Sequence, residues 1–570
     1  MSGGAGMSIR NAGFRGSALF ATLLAASPHV LAADAVAGKA AFRQQCLLCH
    51  TAEPNDNGGA QGPTLAGVVG RKAGSVAGFS YTDAMKKSNL TWDAPTLDRF
   101  LQAPTSVVPG SSMVIPVPDK TTRENVIAYL QVAPTSAQTA SSGVGPAGDA
   151  DWKKDAPGRL HRIEATALAK PMASSLARNN SKVVDKPAGA ELSVPPGFKV
   201  EVYARDLNGP RRLLSAANGD VFVSEMQAGR ITLLHPSADG ASAASSEVFV
   251  DGLKQPFGLA LYPNAQQPKW LYVAETNRVV RYAYKTGATK ASGKPEIVVP
   301  ELASGGGHVT RDIAFSLDGK RLFVSVGSQS NFAEDMSKKT PAEVKAWEAQ
   351  HGFGTSWDKE TDRAVVLAFD ATTPGKEGKV FASGIRNCVG LVTQPKTGEL
   401  WCTTNERDML GDDLVPDYST RVKEGGFYGW PWYYIGANED PRLKGDRPDL
   451  RDKVIVPDVL FQAHSAALNL TFYPGSKGKS AFPAEYAGDA FAVFHGSWNR
   501  NFRTGHKVVR VKMKNGVPTG EYEDFLTGFI VDDTNVWGRP VAATVLNDGS
   551  LLLSDDKGNT IFRISYSAAQ

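Results

Sequence analysis

The chain has 570 residues, of which 42% are hydrophobic and 21% are charged, with 62 Lys and Arg against 58 Asp and Glu. This composition is that of a folded globular protein, it excludes a disordered chain, and the length predicts two or more domains. The formal net charge of +4 is small and the sequence has no basic run, so we expect no nucleic-acid partner.

Residues 1–32 have the pattern of a secretory signal peptide. Arg10 and Arg15 precede the apolar run ALFATLLAA, and Ala32 ends a short stretch typical of a cleavage point. The run is too short to span a bilayer, and the later chain has no stretch of about 20 apolar residues. We therefore expect a periplasmic protein with no transmembrane segment after the signal peptide.

The motif CLLCH predicts an attached haem. Cys46 and Cys49 have the spacing that forms two thioether bonds to haem c, and His50 would be an axial ligand of the iron. A zinc half-site or a chance match is the alternative. In VVPGSSMVIPVPD, however, Met113 follows a Pro-Gly turn that can direct its thioether to the other face of the haem. The two ligands in this order favour covalent haem c and a protein that carries electrons.

Residues 33–133 resemble a class I cytochrome c of the mitochondrial type. The segments that carry the resemblance, in order, are CLLCH, QGPTLAGVVGRKAG, FSYTDAMKKSNLTWDAPTLDRFLQAP, SSMVIP and RENVIAYL. The resemblance implies a small all-α domain in which the carbonyl of Pro63 supports His50 and Met113 is the distal ligand. It also implies that a face of residues 126–130 packs on the first helix.

Residues 134–190 are predicted to be a linker rich in Ala, Ser, Thr, Gly and Pro, followed by an extended lead-in. From 191 to 570, short apolar strands end in polar residues and are separated by turn signals such as NGD, LDGK and NDGS. Six such units of about 60 residues each predict an all-β, six-bladed propeller. A pair of β-sandwiches is the alternative. Cys388 and Cys402 flank a short apolar stretch, and an oxidising compartment favours a disulfide between them.

Polar residues at equivalent blade positions should converge on the axis of a propeller. Arg211, Arg386, Arg500 and Arg539 each stand close to a glycine, and together they predict a pocket for carboxylates or phosphates. Taken one at a time, each arginine would more simply form a structural ion pair.

Residues 155 to 567 resemble the soluble quinoprotein sugar dehydrogenases, and within them the L-sorbosone dehydrogenase branch. The motifs are GGGHVTRDIAFS, FASGIRNCVGL, LWCTTNERD, GGFYGWPWYY and WGRP. The resemblance implies pyrroloquinoline quinone (PQQ), a planar tricarboxylate, together with a calcium ion. It further implies oxidation of a sugar, polyhydroxy aldehyde or alcohol, with the fused haem passing electrons to a respiratory quinone or a soluble electron carrier.

The resemblance also implies roles for single residues. His308 would be the general base, although it could instead cap a turn. Arg386 would polarise the quinone carbonyl beside Asn387, and the backbone carbonyls of Asp408 and Met409 would bind calcium. The remaining cofactor contacts are implied for Arg500 and Arg539 on the carboxylates, Arg211 in the same anion pocket, and Trp498 and Trp537 on the rings unless they serve the core.

The sequence departs from the glucose-oxidising branch at two positions. The lysine that this branch uses on a cofactor carboxylate falls in HGSWNR here, and the chemistry of the side chain suggests Arg500 as its substitute. That branch has an aspartate that orients its histidine, where this chain has Ser328. We therefore expect Asp312, Glu334 or Asp335 to orient His308. Two other functions are open: a calcium-dependent lactonase on a similar propeller, and a non-catalytic propeller for electron transfer or sugar binding.

Overall fold

The structure is a computed structural model that describes residues 34–46, 49–52, 62–76, 79, 81–132 and 152–567. The chain divides into two compact units, Met1–Gln138 and Thr139–Gln570. The predicted signal peptide and the Ala- and Ser-rich part of the linker lie outside the described residues. No helix within those described ranges is long and apolar enough to cross a membrane.

The first unit is built from helices. They are α1 (Ala35–Gln45), α2 (Asp83–Lys87), α3 (Ala94–Gln102), α4 (Pro104–Val107) and α5 (Lys120–Val132). Helix α3 begins where the Asp93 carboxylate accepts a hydrogen bond from the Thr96 amide at 2.8 Å. Helices α1 and α5 pack closely at Gly38, where a Cβ would lie 1.8 Å from the carbonyl oxygen of Asn125. This small all-α unit is the predicted class.

The second unit contains helix α6 (Pro341–His351) and thirty strands within residues 152–567. The strands before the first blade are β1 (Leu160–Arg162), β2 (Lys182–Val183) and β3 (Phe198–Ala204). Blades one and two contain β4 (Pro210–Ser215), β5 (Val221–Glu225), β6 (Arg230–Pro236), β7 (Ala243–Val250), β8 (Leu259–Tyr262), β9 (Trp270–Glu275), β10 (Arg278–Ala283) and β11 (Ser292–Val299).

Blade three contains β12 (Ile313–Phe315), β13 (Arg321–Val326), β14 (Val365–Asp370) and β15 (Lys379–Ser383). The next strands are β16 (Cys388–Thr393), β17 (Leu400–Thr404), β18 (Tyr418–Arg421), β19 (Gly426–Phe427), β20 (Tyr433–Tyr434), β21 (Asn438–Glu439) and β22 (Val459–Leu460). The last are β23 (Ala467–Phe472), β24 (Ala490–Phe494), β25 (Lys507–Lys514), β26 (Val517–Leu526), β27 (Asn535–Val536), β28 (Pro540–Val545), β29 (Leu551–Asp555) and β30 (Thr560–Tyr566).

Blade four is β16, β17, β18 and β22, and blade five is β23 to β26 with β1 added at its outer edge. Blade six is β28, β29 and β30, completed by β3 from the start of the unit. The innermost strands β4, β8, β12, β16, β23 and β28 are neighbours around a closed ring. This is the predicted six-bladed β-propeller. The Cys388–Cys402 disulfide, also predicted, joins β16 and β17 with Cα atoms 5.7 Å apart.

The middle strands of the blades are buried on both faces because each blade packs between two others. Strand β5 is an example, since all of its residues are buried. At the axis, residues of blades two, four, five and six form one apolar cluster, which we call the apolar floor: Phe257, Val389, Leu468, Val541 and Ala542. These five side chains pack together into one apolar surface.

The lead-in runs along the propeller. Strand β1 pairs with β26, and β2 runs parallel to β27. Between them, the Met172 amide donates to the Leu410 carbonyl at 2.7 Å and the Asn179 amide donates to the Trp498 carbonyl at 2.6 Å. The segment therefore crosses loops of blades four, five and six.

Candidate functional site

The first unit contains a cavity lined by Cys46, Cys49, His50 and Met113 together with apolar side chains. The Nδ1 atom of His50 lies 2.9 Å from the Pro63 carbonyl oxygen. Because a carbonyl can only accept, Nδ1 carries the proton, and the lone pair of Nε2 would be the one to bind a haem iron. The four predicted haem residues thus share one apolar cavity whose donor set fits a covalent haem c.

A glycine allows the chain to pass close to the proximal histidine. A Cβ at Gly62 would lie 2.3 Å from Cε1 of His50, which no side chain tolerates. The same backbone stretch continues to Pro63, the acceptor of the Nδ1 proton. Gly62 and Pro63 therefore fix the orientation of the imidazole together.

In the second unit, the polar residues come together at one end of the propeller. Neighbouring strands of a blade are antiparallel, so residues before an innermost strand lie beside residues that follow the next strand. His308 precedes β12, Arg386 and Asn387 precede β16, and Arg539 precedes β28. The chemistry predicted from the sequence therefore faces one end of the axis.

The imidazole of His308 is held by Ser328. Its Nδ1 atom lies 2.8 Å from the Ser328 carbonyl oxygen and 3.1 Å from the hydroxyl oxygen of the same residue. The carbonyl requires a proton on Nδ1, which leaves the Nε2 lone pair to accept one. Burial, with the nearby Arg386 guanidinium, lowers the pKa of His308 to about 3. The side chain is therefore a neutral base at ordinary pH.

The carboxylates expected to orient His308 bind elsewhere. The Asp312 carboxylate accepts the Leu391 amide at 2.9 Å, and Glu334 accepts the Phe332 amide at 3.3 Å. Asp335 pairs with Lys359 at 2.7 Å. That expectation was wrong. Ser328, which stands in the place of the family aspartate, orients His308 through its backbone carbonyl.

Arg386 is buried and fixed by several acceptors. It donates to the carbonyls of Glu406 at 2.7 Å and Asn331 at 3.1 Å, and to the Asn331 side chain at 3.0 Å. Its Nη2 atom also lies 3.3 Å from Asp408. No sequence pattern predicts the role of Asn331, because its contact with Arg386 joins residues 55 positions apart in the chain.

Gly327 brings the base and Asn387 together. A Cβ at Gly327 would lie 2.5 Å from Asn387 Oδ1 and 2.8 Å from His308 Cβ. The buried Oδ1 atom of Asn387 has no hydrogen-bond partner among residues 152–567. A buried polar atom without a partner is costly, so this atom indicates a place for a bound molecule.

A second polar group contains Arg211, His495, Arg539 and Asp556. Arg211 donates to Asp556 at 2.6 Å, and Arg539 donates to Nδ1 of His495 at 3.0 Å. His495 Nε2 then donates to Asp556 at 3.1 Å. The buried Nε atoms of both arginines lack a partner in the described part of the propeller. His495 and Asp556 were missed, although HGSWNR and LLLSDDKGN place both at the end of a strand.

This second group lies against the apolar floor. The Arg211 guanidinium is 5.5 Å from the centre of the Phe257 ring. An apolar surface with arginine nitrogens beside it fits a planar anionic molecule. The residues present therefore fit PQQ at this end of the axis.

Three predicted cofactor contacts have other partners. Arg500 donates to Asp413 at 2.8 Å and to the Ala463 carbonyl at 3.1 Å. The four arginines accordingly do not form one ring. Trp498 lies under the lead-in, with the Arg178 guanidinium 5.5 Å from its ring centre.

Trp537 belongs to the core between blades. Its ring centre is 4.8 Å from that of Phe529, and its indole nitrogen donates to the Gly528 carbonyl at 2.8 Å. Lys186 lies 5.3 Å from the ring centre. The core role, given above as the alternative to ring stacking, is the one that the packing shows.

The predicted calcium site does not fit. The Asp408 carbonyl oxygen already accepts hydrogen bonds from Asn331 and from the Arg442 guanidinium, both at 3.0 Å. A divalent ion on this oxygen would lie directly beside the positive charge of Arg442. The expectation that the Asp408 carbonyl binds calcium is therefore wrong, whereas the same role for the Met409 carbonyl stays a prediction.

Comparison with known proteins finds relatives for each of the two units. A family model described as TrAA12-like matches residues 192–423 and 445–567, together more than half of the chain. A cytochrome c2 of Rhodomicrobium vannielii is 45% identical over 111 residues, which are 19% of this chain and 87% of that protein.

Two solved structures share the propeller fold. A Trichoderma reesei structure of Carbohydrate-Active Enzymes Family AA12 gives a TM-score of 0.53 at 21% identity, covering 68% of this chain and all of that one. The holo form of the pyranose dehydrogenase PQQ domain from Coprinopsis cinerea gives 0.52 at 19% identity, covering 66% and 97%. At these identities the likeness concerns the fold alone.

Proposed function

Since the chain belongs to the TrAA12-like family and carries a segment of the cytochrome c2 family, we propose that it is a quinohaemoprotein dehydrogenase. It oxidises a sugar, polyhydroxy aldehyde or alcohol at the propeller, in the periplasm. The electrons pass to the haem c unit and then to a respiratory quinone or a soluble electron carrier. The PQQ named for the Coprinopsis cinerea domain supports the choice of cofactor.

One observation carries the proposal. His308 is a neutral base with its Nε2 lone pair available, and it stands next to a buried Asn387 oxygen that lacks a partner in the described propeller. A hydrolase on this scaffold would need carboxylates around a metal instead. A general base beside an anion-binding apolar floor suits oxidation of an alcohol by a quinone.

The residues of the chain perform the following steps. His308 Nε2 accepts the proton of the substrate hydroxyl, and the Ser328 carbonyl keeps the opposite nitrogen protonated throughout. Arg386, immobilised by Asn331, holds a positive charge close to the base. When bound, PQQ supplies a two-electron acceptor for the hydrogen on the same carbon, and haem c supplies a one-electron carrier.

Arg211 and Arg539 would bind the carboxylates of the cofactor. Their unpartnered Nε atoms provide two donors at the edge of the apolar floor. We assign haem binding to residues 33–133, the linker and lead-in to 134–190, and catalysis to 191–570. Joining both units in one chain raises the effective concentration of the electron acceptor at the propeller.

The test is reduction of the haem by substrate. Purified chain is loaded with PQQ, once in EDTA and once in millimolar calcium, mixed with aldoses or L-sorbosone, and followed through its visible spectrum. We expect the haem bands to change to the reduced form only when PQQ and a substrate are both present. A haem that dithionite reduces but no substrate reduces would refute the proposal and favour the lactonase or the non-catalytic propeller.

A further inference from the structure

The guanidinium of Arg442 stands where the resemblance expects a calcium ion. Its Nη1 atom donates to the Asp408 carbonyl oxygen at 3.0 Å, and its planar group lies 3.9 Å from the centre of the Phe332 ring. The Asp440 carboxylate holds the other side through two bonds of 2.8 and 2.7 Å. The position of this cation is therefore fixed from three directions.

We propose that Arg442 replaces calcium in this protein, so that the propeller binds its quinone without a divalent ion. This inference rests on the proposed function, because it concerns the same cofactor pocket. It makes Arg442 a positioning residue, whose fixed positive charge acts through the Asp408 carbonyl next to Arg386.

The local charges are already balanced. Arg386 pairs with Asp408, and Asp440 pairs with both Arg442 and Arg407. Arg407 also pairs with Glu406, and these last two side chains are fully buried. Each carboxylate of this set faces a guanidinium. No carboxylate of this buried network remains to balance a divalent ion, so the protein itself offers such an ion no compensating charge.

Arg442 lies near the end of a segment that the family model does not match. Residues 424–444 lie between the two stretches that match the family model. The segment is tied down inside the protein, because Arg407 donates to the carbonyls of Pro431 at 2.5 Å and Tyr433 at 2.7 Å. The segment, which includes the motif GGFYGWPWYY, is therefore held in place by buried contacts of Arg407.

The experiment measures PQQ binding to the full chain by equilibrium dialysis, once in EDTA and once in millimolar calcium. For the wild type we expect the two dissociation constants to agree within about threefold. Arg442→Gln should bind PQQ at least about tenfold more weakly in EDTA. The variant loses the charge-assisted hydrogen bond from Arg442 to the Asp408 carbonyl, and with it the positive charge at that position. Calcium should restore part of that binding, since the Asp408 carbonyl is then accessible to it.

Two further variants serve as controls. Arg442→Lys keeps the charge without the planar fork, and it should remain independent of calcium. Arg447 is a buried arginine of the neighbouring turn that pairs with Glu348 and Asp449, so Arg447→Gln should bind PQQ like the wild type. Thermal melting of each variant shows whether it is folded. The comparison of wild-type binding in EDTA and in calcium does not depend on the folding of any variant.

The outcomes separate this inference from the proposed function. Wild-type chain that binds PQQ in calcium but not in EDTA would overturn the inference and leave the proposed function standing. Arg442→Gln chain that is folded and binds PQQ normally in EDTA would also overturn it. A wild type that binds PQQ in neither medium would overturn both.

Discussion

The Nδ1 atom of His308 lies 2.8 Å from the carbonyl oxygen of Ser328. A peptide carbonyl therefore orients the predicted base in the position where the related branch uses a carboxylate. The carbonyl carries no charge that could titrate, so the tautomer of His308 stays the same over a wide pH range.

Replacement of His308 by Asn should remove the base and keep a polar side chain in its place. We expect kcat to fall by about 10² to 10⁴, the usual contribution of a general base. PQQ binding should change little, and dithionite should still reduce the haem. Stopped-flow haem reduction with substrate measures the loss, and a loss below tenfold would exclude His308 as the base.

The pH dependence of kcat/KM follows from the pKa of His308, which burial and Arg386 lower from 6.5 to about 3. The neutral form required for catalysis persists on acidification, so no activity should be lost to protonation of this residue between pH 7 and 5. Arg386→Gln removes the second cause of the shift and should move the acid limb to higher pH. An acid limb near 6.5 in the wild type would contradict this prediction.

The same shift affects folding stability. Between pH 6.5 and about 3, the imidazole binds a proton in the unfolded chain but not in the folded one. Stability contributed by His308 is therefore present above this window and is lost as the pH falls through it. Urea unfolding at several pH values should show a shallower decline for His308→Asn than for the wild type.

The linear sequence predicts those parts of the site that depend on local patterns. Local patterns suffice to predict the haem ligands, namely CLLCH and the Pro-Gly turn before Met113. The repeated strand pattern suffices to predict the propeller. Contacts between distant loops are different, because no local pattern encodes which acceptor an arginine reaches. Two examples are the hydrogen bond from Arg386 to Asn331 and the hydrogen bond from Arg442 to the Asp408 carbonyl. Trp537 shows the converse, since a conspicuous aromatic residue serves only the core.

Arg539→Gln should weaken binding of the cofactor without altering the base. Loss of one charged donor at the edge of the apolar floor should raise the dissociation constant for PQQ by about tenfold or more. Arg281, which pairs with Glu296 at the outer part of blade two, provides the matched control. Equilibrium dialysis should find Arg281→Gln unchanged, and equal affinities for both variants would remove Arg539 from the site.

The Cys388–Cys402 disulfide begins directly after Asn387 and joins the first two strands of blade four. Replacing both cysteines by Ser should lower the free energy of unfolding by about 3 kcal/mol, the value for a loop of this length. Because Arg386 and Asn387 are anchored at the same point, the affinity for PQQ should fall as well. Calorimetry and dialysis of the double variant check the two effects separately.

Met113→His should change the haem without touching the propeller. A second imidazole in place of the thioether stabilises ferric iron, so the reduction potential should fall by on the order of 0.1 V or more. Transfer from the propeller to the haem should slow, whereas reduction of an artificial dye by the propeller should continue. An unchanged potential in a redox titration would show that Met113 is not an iron ligand.

Strand β3 stands near the start of the propeller, yet it completes blade six beside β30, with Val200 opposite Ile564. The ring consequently cannot close before almost the entire chain has been synthesised. Such distant pairing makes folding slow, and it leaves the edges of β3 and β29 open to pairing with other chains in the meantime. A protein shortened before Thr560 would keep both edges exposed permanently, so the last strand protects the whole molecule from aggregation.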